Sequence, residues 1–360
     1  MKTKTFLLSI LIATAVAAQP IVGPEVKSAP IDVLGDAALL PQGDGYLIAW
    51  SQRDRINIGH LDATLHETDT PFAVPLAPST TVSFVTLATT GKSVLVVWKQ
   101  QAPGSANSTW AATLATDARS ILTSPQFVNA TPNAPAAGQR DGRYLLISGD
   151  ESLVLTDKLQ TESIEAISPA VSAAISPRGE SGIVSVALKN TPCFCWFCSG
   201  LCSTTATYTF QTPTVTKNIA FTYGSTASVK TAPTHDPIVA TDGDHFVGLA
   251  AMALETDVFE LVADRAGTLW TLTPVPLPGI VALAGNGSDV LVVWSTASFL
   301  KGSLLHGDGT SSEPFDIGQY AYAPKVFVPN SNEFVVLYRY ESEIAGRVIH
   351  VQGGRQRAVR

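Results

Sequence analysis

Residues 41–50 read PQGDGYLIAW, a Gly/Asp turn followed by an unbroken apolar run that ends at Trp50. The same unit returns as TTGKSVLVVW (89–98), QRDGRYLLIS (139–148), ATDGDHFVGL (240–249), AGNGSDVLVVW (284–294) and VPNSNEFVVLY (328–338). A weaker copy is SPRGESGIVSVAL (176–188). The Gly, Asp and Asn residues supply the positive φ of a tight hairpin, and the β-branched and aromatic run after them reads as a strand.

Working outward from each copy, a second short element follows, as in IGHLD (58–62), FELV (259–262), LKGSL (300–304) and IAGRV (344–348). A third often holds Pro, as in TPFAVPLA (70–77) and SEPFDIG (312–318). With the strand before each turn, every unit has four short strands. The units fall near 31–77, 78–129, 130–167, 168–231, 232–276, 277–318 and 319–352. Repeats of about 40–60 residues with four strands each predict an all-β chain folded as a single β-propeller of seven four-stranded blades. Two packed β-domains or a β-sandwich are the competing architectures. The last unit stops after its third strand, and PIVGPEV (20–26) matches the third element in its Pro and β-branched residues. Docking that N-terminal strand on the last blade closes the ring and removes an exposed edge.

Composition agrees with a folded β chain. Of 360 residues 45% are hydrophobic and 15% charged, with 27 Gly and 23 Pro. That charged fraction is well under the typical ~25%, and the apolar content is too high for disorder. Lys2 and Lys4 precede an apolar run over 6–17 that ends in small residues, the pattern of a cleaved signal peptide over 1–18. Its removal takes both lysines and moves the net charge from -7 to -9. An acidic chain offers no broad basic surface for a phosphate backbone, so a nucleic-acid partner is not expected. No later stretch suits a membrane span. The expected organisation is a signal peptide (1–18), a propeller (19–352) and a basic C-terminal tail (353–360), in a secreted or periplasmic protein.

The turn-plus-YLVVW pattern resembles the repeats of uncharacterised secreted bacterial β-propeller-like proteins, over about 31–351. The resemblance implies the architecture and names no function, because propellers include enzymes, glycan binders and protein scaffolds.

Chemistry concentrates in PCFCWFCSGLC, between the second and third strands of the fourth unit. Cys193, Cys195, Cys198 and Cys202 are the only cysteines. In an exported protein they read first as two disulfides stapling a long loop. The alternative is a thiolate site for zinc, copper or an iron–sulfur cluster. Phe194, Trp196 and Phe197 on the same loop are candidate contacts for a glycan or a protein partner. Trp50, Trp98 and Trp294 occupy equivalent strand ends and are expected to pack between blades. His235, Asp236, Asp242, Asp244 and His245 crowd one segment, but the hairpin geometry sends His235 and His245 to opposite ends, so no metal site is assigned there.

No G-x-S-x-G, H-E-x-x-H or P-loop is present, and no credible carboxylate pair stands out, so no catalytic residue is assigned. The sequence therefore points to an exported binding or interaction propeller, with a secreted hydrolase or lyase acting on glycans as the alternative.

Overall fold

The computed structural model describes residues 20–351, apart from 31–35, 53, 77–78, 132, 193–200, 214–215, 225–237, 242–245, 253–257, 264–268, 273–280, 297 and 307–310. The described elements are strands. Two short ones open the chain, β1 (Ile21–Val22) and β2 (Val26–Pro30). The first blade is β3 (Ala37–Gln42), β4 (Gly45–Gln52), β5 (Arg55–Leu61) and β6 (Phe72–Pro75). The second is β7 (Thr81–Thr89), β8 (Ser93–Gln101), β9 (Ser108–Ala115) and β10 (Ile121–Asn129). The third is β11 (Ala136–Arg140), β12 (Arg143–Ser148), β13 (Glu151–Leu155) and β14 (Thr161–Ala166). The fourth is β15 (Ser172–Ile175), β16 (Ser181–Pro192), β17 (Leu201–Gln211) and β18 (Thr216–Gly224). The fifth is β19 (Ile238–Thr241), β20 (Phe246–Met252), β21 (Val258–Ala263) and β22 (Leu269–Leu272). The sixth is β23 (Val281–Gly285), β24 (Asp289–Ser295), β25 (Phe299–His306) and β26 (Phe315–Gln319). The closing sheet holds β27 (Ala321–Asn330), β28 (Glu333–Tyr340) and β29 (Glu343–His350), together with β1 and β2.

Each blade is an antiparallel meander of consecutive strands. The first strands pack in order, β3, β7, β11, β15, β19, β23 and β27, and β27 meets β3 again. They therefore line the axis, and the fourth strands form the rim. The expectation of seven like four-stranded blades needs a correction. Among the described residues six sheets are four-stranded, and the closing sheet is a five-stranded composite of three C-terminal and two N-terminal strands. The docking segment is also not one strand over 20–26. It breaks at Gly23–Glu25, then resumes as β2, with both pieces on β29. Pro24 has no N–H to donate, and Gly23 approaches β29 so closely that a Cβ there would meet the Val348 carbonyl oxygen at 2.9 Å.

The apolar runs are unbroken because second strands are buried on both faces. In β8, Val94, Val96 and Trp98 face the first blade's Leu47, Ala49 and Ile58, while Leu95 and Val97 face the third blade's Tyr144 and Leu146. Trp50, Trp98 and Trp294 are all buried; Trp50 packs against the closing sheet and Trp98 against the first blade. The expected hairpin chemistry holds at Gly43, Gly91, Asp141, Gly142, Gly179 and Gly287, all at positive φ.

A second turn class was invisible in the repeat pattern. Leu65, Ala118 and Leu159 sit between third and fourth strands at φ 68°, 54° and 59°. Each is nonetheless buried, in the seams on either side of the first and second blades. A left-handed residue with a side chain costs about 1–2 kcal/mol, which burying an apolar group offsets. Glycine there would relieve the backbone and leave a hole.

Polar clasps tie neighbouring blades. Asp69, after β5, accepts from Arg119 Nη2 of the second blade at 2.6 Å and faces His60 Nδ1 at 2.9 Å. Burial pushes this carboxyl up, but His60, its backbone amide and Arg119 together hold it below the usual aspartate value. A depressed folded pKa gives stability that is present above the unfolded pKa and is lost as pH falls through the folded one. Acid unfolding of Asp69→Asn should therefore be less steep than that of the wild type below about pH 4. Melting curves recorded from about pH 5 to 3 check this, and parallel curves would refute it.

Candidate binding crevice on the rim

The structure places few of the residues singled out in the sequence. Cys193, Phe194, Cys195, Trp196, Phe197 and Cys198 lie outside the described residues. Cys202 stands near the start of β17, in the register shift where Leu201 pairs with Pro192 and Ser203 with Thr191. The 193–200 segment thus joins a second strand to a third, at the end of the ring where Asp36 precedes β3. His235, Asp236, Asp242, Asp244 and His245 also lie outside the described residues. Among the described residues no group of three or more His, Cys, Asp or Glu is placed to hold a metal ion. No helix there is long and apolar enough to cross a membrane.

At the axial mouth on that end, Asp36 accepts from Lys325 Nζ at 2.6 Å, from the Val85 amide at 3.2 Å and from its neighbour Ala37 at 2.9 Å. The Lys325 ammonium also lies 4.5 Å from the centre of the Phe84 ring. One carboxylate therefore fastens β27, β3 and β7 together. Its oxygens are occupied, which suits a staple and not a proton donor. Removing the acid strands a partly buried ammonium and an inner-strand amide. Asp36→Ala should cost about 2 kcal/mol, or roughly 3 °C in Tm. Lys325→Met should cost less, because the amides keep their acceptor. Equal losses in thermal melts would refute this ranking.

A larger feature opens on the rim between the second and third blades. A crevice of about 440 Å³ runs between β10 and the β13–β14 hairpin. Its floor is Leu153, Leu155 and Leu159, all buried. One wall is Gln126 to Ala130, and Thr161 and Ile164 stand opposite. Asp150 and Glu151 line one end. Alternation explains the lining: Glu151, Leu153 and Leu155 share one face of β13, and Leu153 pairs with Ile164 across β14.

The walls are preformed. Asp157, in the turn that carries Leu159, accepts from Ser93 Oγ at 2.8 Å, and Ser93 Oγ lies 2.6 Å from Tyr144 Oη. Burial pushes the Tyr144 hydroxyl up, so it stays a neutral donor. Thr113 and Thr123 hydroxyls donate to the Asp157 carbonyl at 2.8 and 3.2 Å. These bonds lock the second blade to the third beneath the crevice. At the acidic end Asn129 Nδ2 donates to Glu151 Oε2 at 3.2 Å and to the Ser148 carbonyl at 3.1 Å.

Exposed apolar residues stand on the outer strands of these two blades, and Ile164 is the one whose side chain shares the crevice face with Leu153. Among the described residues five large hydrophobics are exposed, and three of them, Leu122 (57%), Phe127 (56%) and Ile164 (63%), stand on β10 and β14. Phe127 pairs with Trp110 and keeps an edge contact to it, with ring centres 6.1 Å apart, so its ring lies on the face turned to the first blade. The sequence reading missed this site, because outer strands carry no repeated signature. The available signal was the apolar content of ILTSPQFVN and the lone Ile of TESIEA, in strands that face solvent.

The chain is a β-propeller. No family model and no curated protein matches it. Among solved structures, the WD40 domain of Toxoplasma gondii coronin superposes with a TM-score of 0.51 at 8% identity, over 94% of this chain and 87% of that one. BBS1N in complex with ARL6DN superposes at 0.50 and 9% identity, over 94% and 99%. At such identities the likeness concerns the fold alone.

Proposed function

We propose that this propeller is an exported interaction protein and that it docks a protein partner in the rim crevice between its second and third blades. The observation that carries the reading is the exposed Ile164 standing over the buried leucine floor of a preformed crevice. Its volume lies in the range of ligand sites, and an exposed aliphatic side chain over a rigid floor suits an apolar anchor. A sugar face stacks on flat aromatics, whereas this crevice offers mostly branched aliphatics, so a protein is favoured over a glycan. BBS1N, of similar fold, is itself held in a complex with ARL6DN. The glycoside hydrolase alternative requires two converging carboxylates, and Asp36 at the axial mouth is already committed.

Export rests on the 1–18 leader, with cleavage after Ala17 or Ala18. In an oxidising compartment Cys193, Cys195, Cys198 and Cys202 would form two disulfides, with Phe194, Trp196 and Phe197 as a further contact surface. A mass about 4 Da below the all-thiol value in the absence of reductant is expected, and a zinc, copper or iron–sulfide adduct would overturn it.

The crevice is tested on printed arrays of 15-residue peptides and of glycans. Wild-type protein should bind a subset of peptides. Ile164→Lys should lose them while melting within about 2 °C of wild type, as an exposed position allows. Unchanged binding by this variant, or glycan binding that it abolishes, would overturn the reading.

A further inference from the structure

We propose that the segment docked in the rim crevice is an extended, cationic polypeptide strand, with an aliphatic side chain over the leucine floor and a basic one at the Asp150–Glu151 end. This rests on the crevice being a binding site. The argument is charge complementarity. The described lining has two carboxylates, Asp150 and Glu151, and no lysine or arginine. Glu151 has one hydrogen bond to Asn129, which orients it and leaves carboxylate capacity for a guanidinium. The chain as a whole carries -7, so its long-range field also draws a cation and repels an anion. The shape favours an extended strand. The crevice runs between two rim strands, and its apolar lining is set by period-two alternation on β13 and β14, which alternate side chains of an extended peptide can match.

The test uses three labelled, end-capped heptapeptides with alternating Arg–Leu, Gln–Leu and Glu–Leu sequences, titrated by fluorescence anisotropy at about 0.15 M salt. The proteins are wild type, Asp150→Asn/Glu151→Gln and Ile164→Ser. Arg–Leu should bind wild type at least about tenfold tighter than Glu–Leu. The amide variant should bring the two within about threefold, and Ile164→Ser should weaken Arg–Leu. If Gln–Leu binds as well as Arg–Leu and Ile164→Ser weakens both, the crevice stands and the cationic inference falls. If Arg–Leu binding is indifferent to both variants, it is adsorption to an acidic surface, and the inference also falls. If no peptide binds and wild type sediments as a dimer that Ile164→Ser dissolves, the occupant is a second copy of this chain. If no peptide binds and neither variant changes any measurement, the crevice reading itself fails.

Discussion

Deleting residues 20–26 should lower the melting temperature by about 7 °C, although the segment pairs with one strand and adds little core. Its removal opens one side of β29, which now pairs through Ile21 with His350, Val22 with Ile349 and Val26 with Gly346. Polar contacts go with it, among them the Arg347–Glu25 ion pair at 3.9 Å. The Gly23 amide donates to the Val348 carbonyl at 2.8 Å, Arg347 Nη1 donates to the Gly23 carbonyl at 2.7 Å, and Tyr338 Oη donates to Glu25 Oε2 at 2.6 Å. Tyr338 is only 2% exposed, and burial reinforced by Glu25 pushes its pKa up, so the hydroxyl remains a donor and is stranded when its acceptor is deleted. A stranded buried donor costs about 1–3 kcal/mol, and the lost pairing and Val26 burial bring the total to about 5 kcal/mol. Glu25→Gln, which keeps an acceptor oxygen, should cost less than a third of that. Calorimetry decides: a deletion variant that melts with the wild type means the ring does not depend on this segment.

Trp98→Ala should be the most damaging single substitution, at about 3–5 kcal/mol. The indole is fully buried between the first and second blades, and its Nε1 donates to Gln100 Oε1 at 2.9 Å. Truncation opens an indole-sized cavity in a seam that both sheets hold rigid, so little collapse can compensate. Trp98→Phe fills most of that space and should cost about 1–2 kcal/mol less. Urea unfolding checks both, and a Trp98→Ala loss below about 1 kcal/mol would mean that the blades slide together to fill the gap.

Architecture was legible in the sequence because the second strand of each blade has the same environment every time. Burial on two faces forces apolar residues at every position, and the preceding turn needs Gly, Asp or Asn, so YLIAW, VLVVW and FVVLY recur. The closing sheet was legible only in part. The Pro and β-branched residues of 20–26 marked a docking segment, but the break at Gly23 depends on how closely β29 approaches, which no local pattern encodes. Leu65, Ala118 and Leu159 escaped for a related reason: positive φ on a residue with a side chain is imposed by packing from a neighbouring blade. The crevice was not legible. Val128 and Ile164 stand on outer strands whose sequences differ blade by blade, and only the fold brings them to one seam.

The closing sheet also sets the order of events as the chain is made. Ile21 pairs with His350, so β1 must wait while six intervening sheets are made before its partner emerges. Every other sheet can form from its own consecutive strands, and loop closure across such a separation is slow. A waiting strand is an aggregation hazard. Here it is short, split by Pro24, and carries Glu25 and Lys27, a composition that pairs poorly with strangers. The features that make β1 and β2 weak strands are those that keep the unfinished ring soluble until β29 arrives.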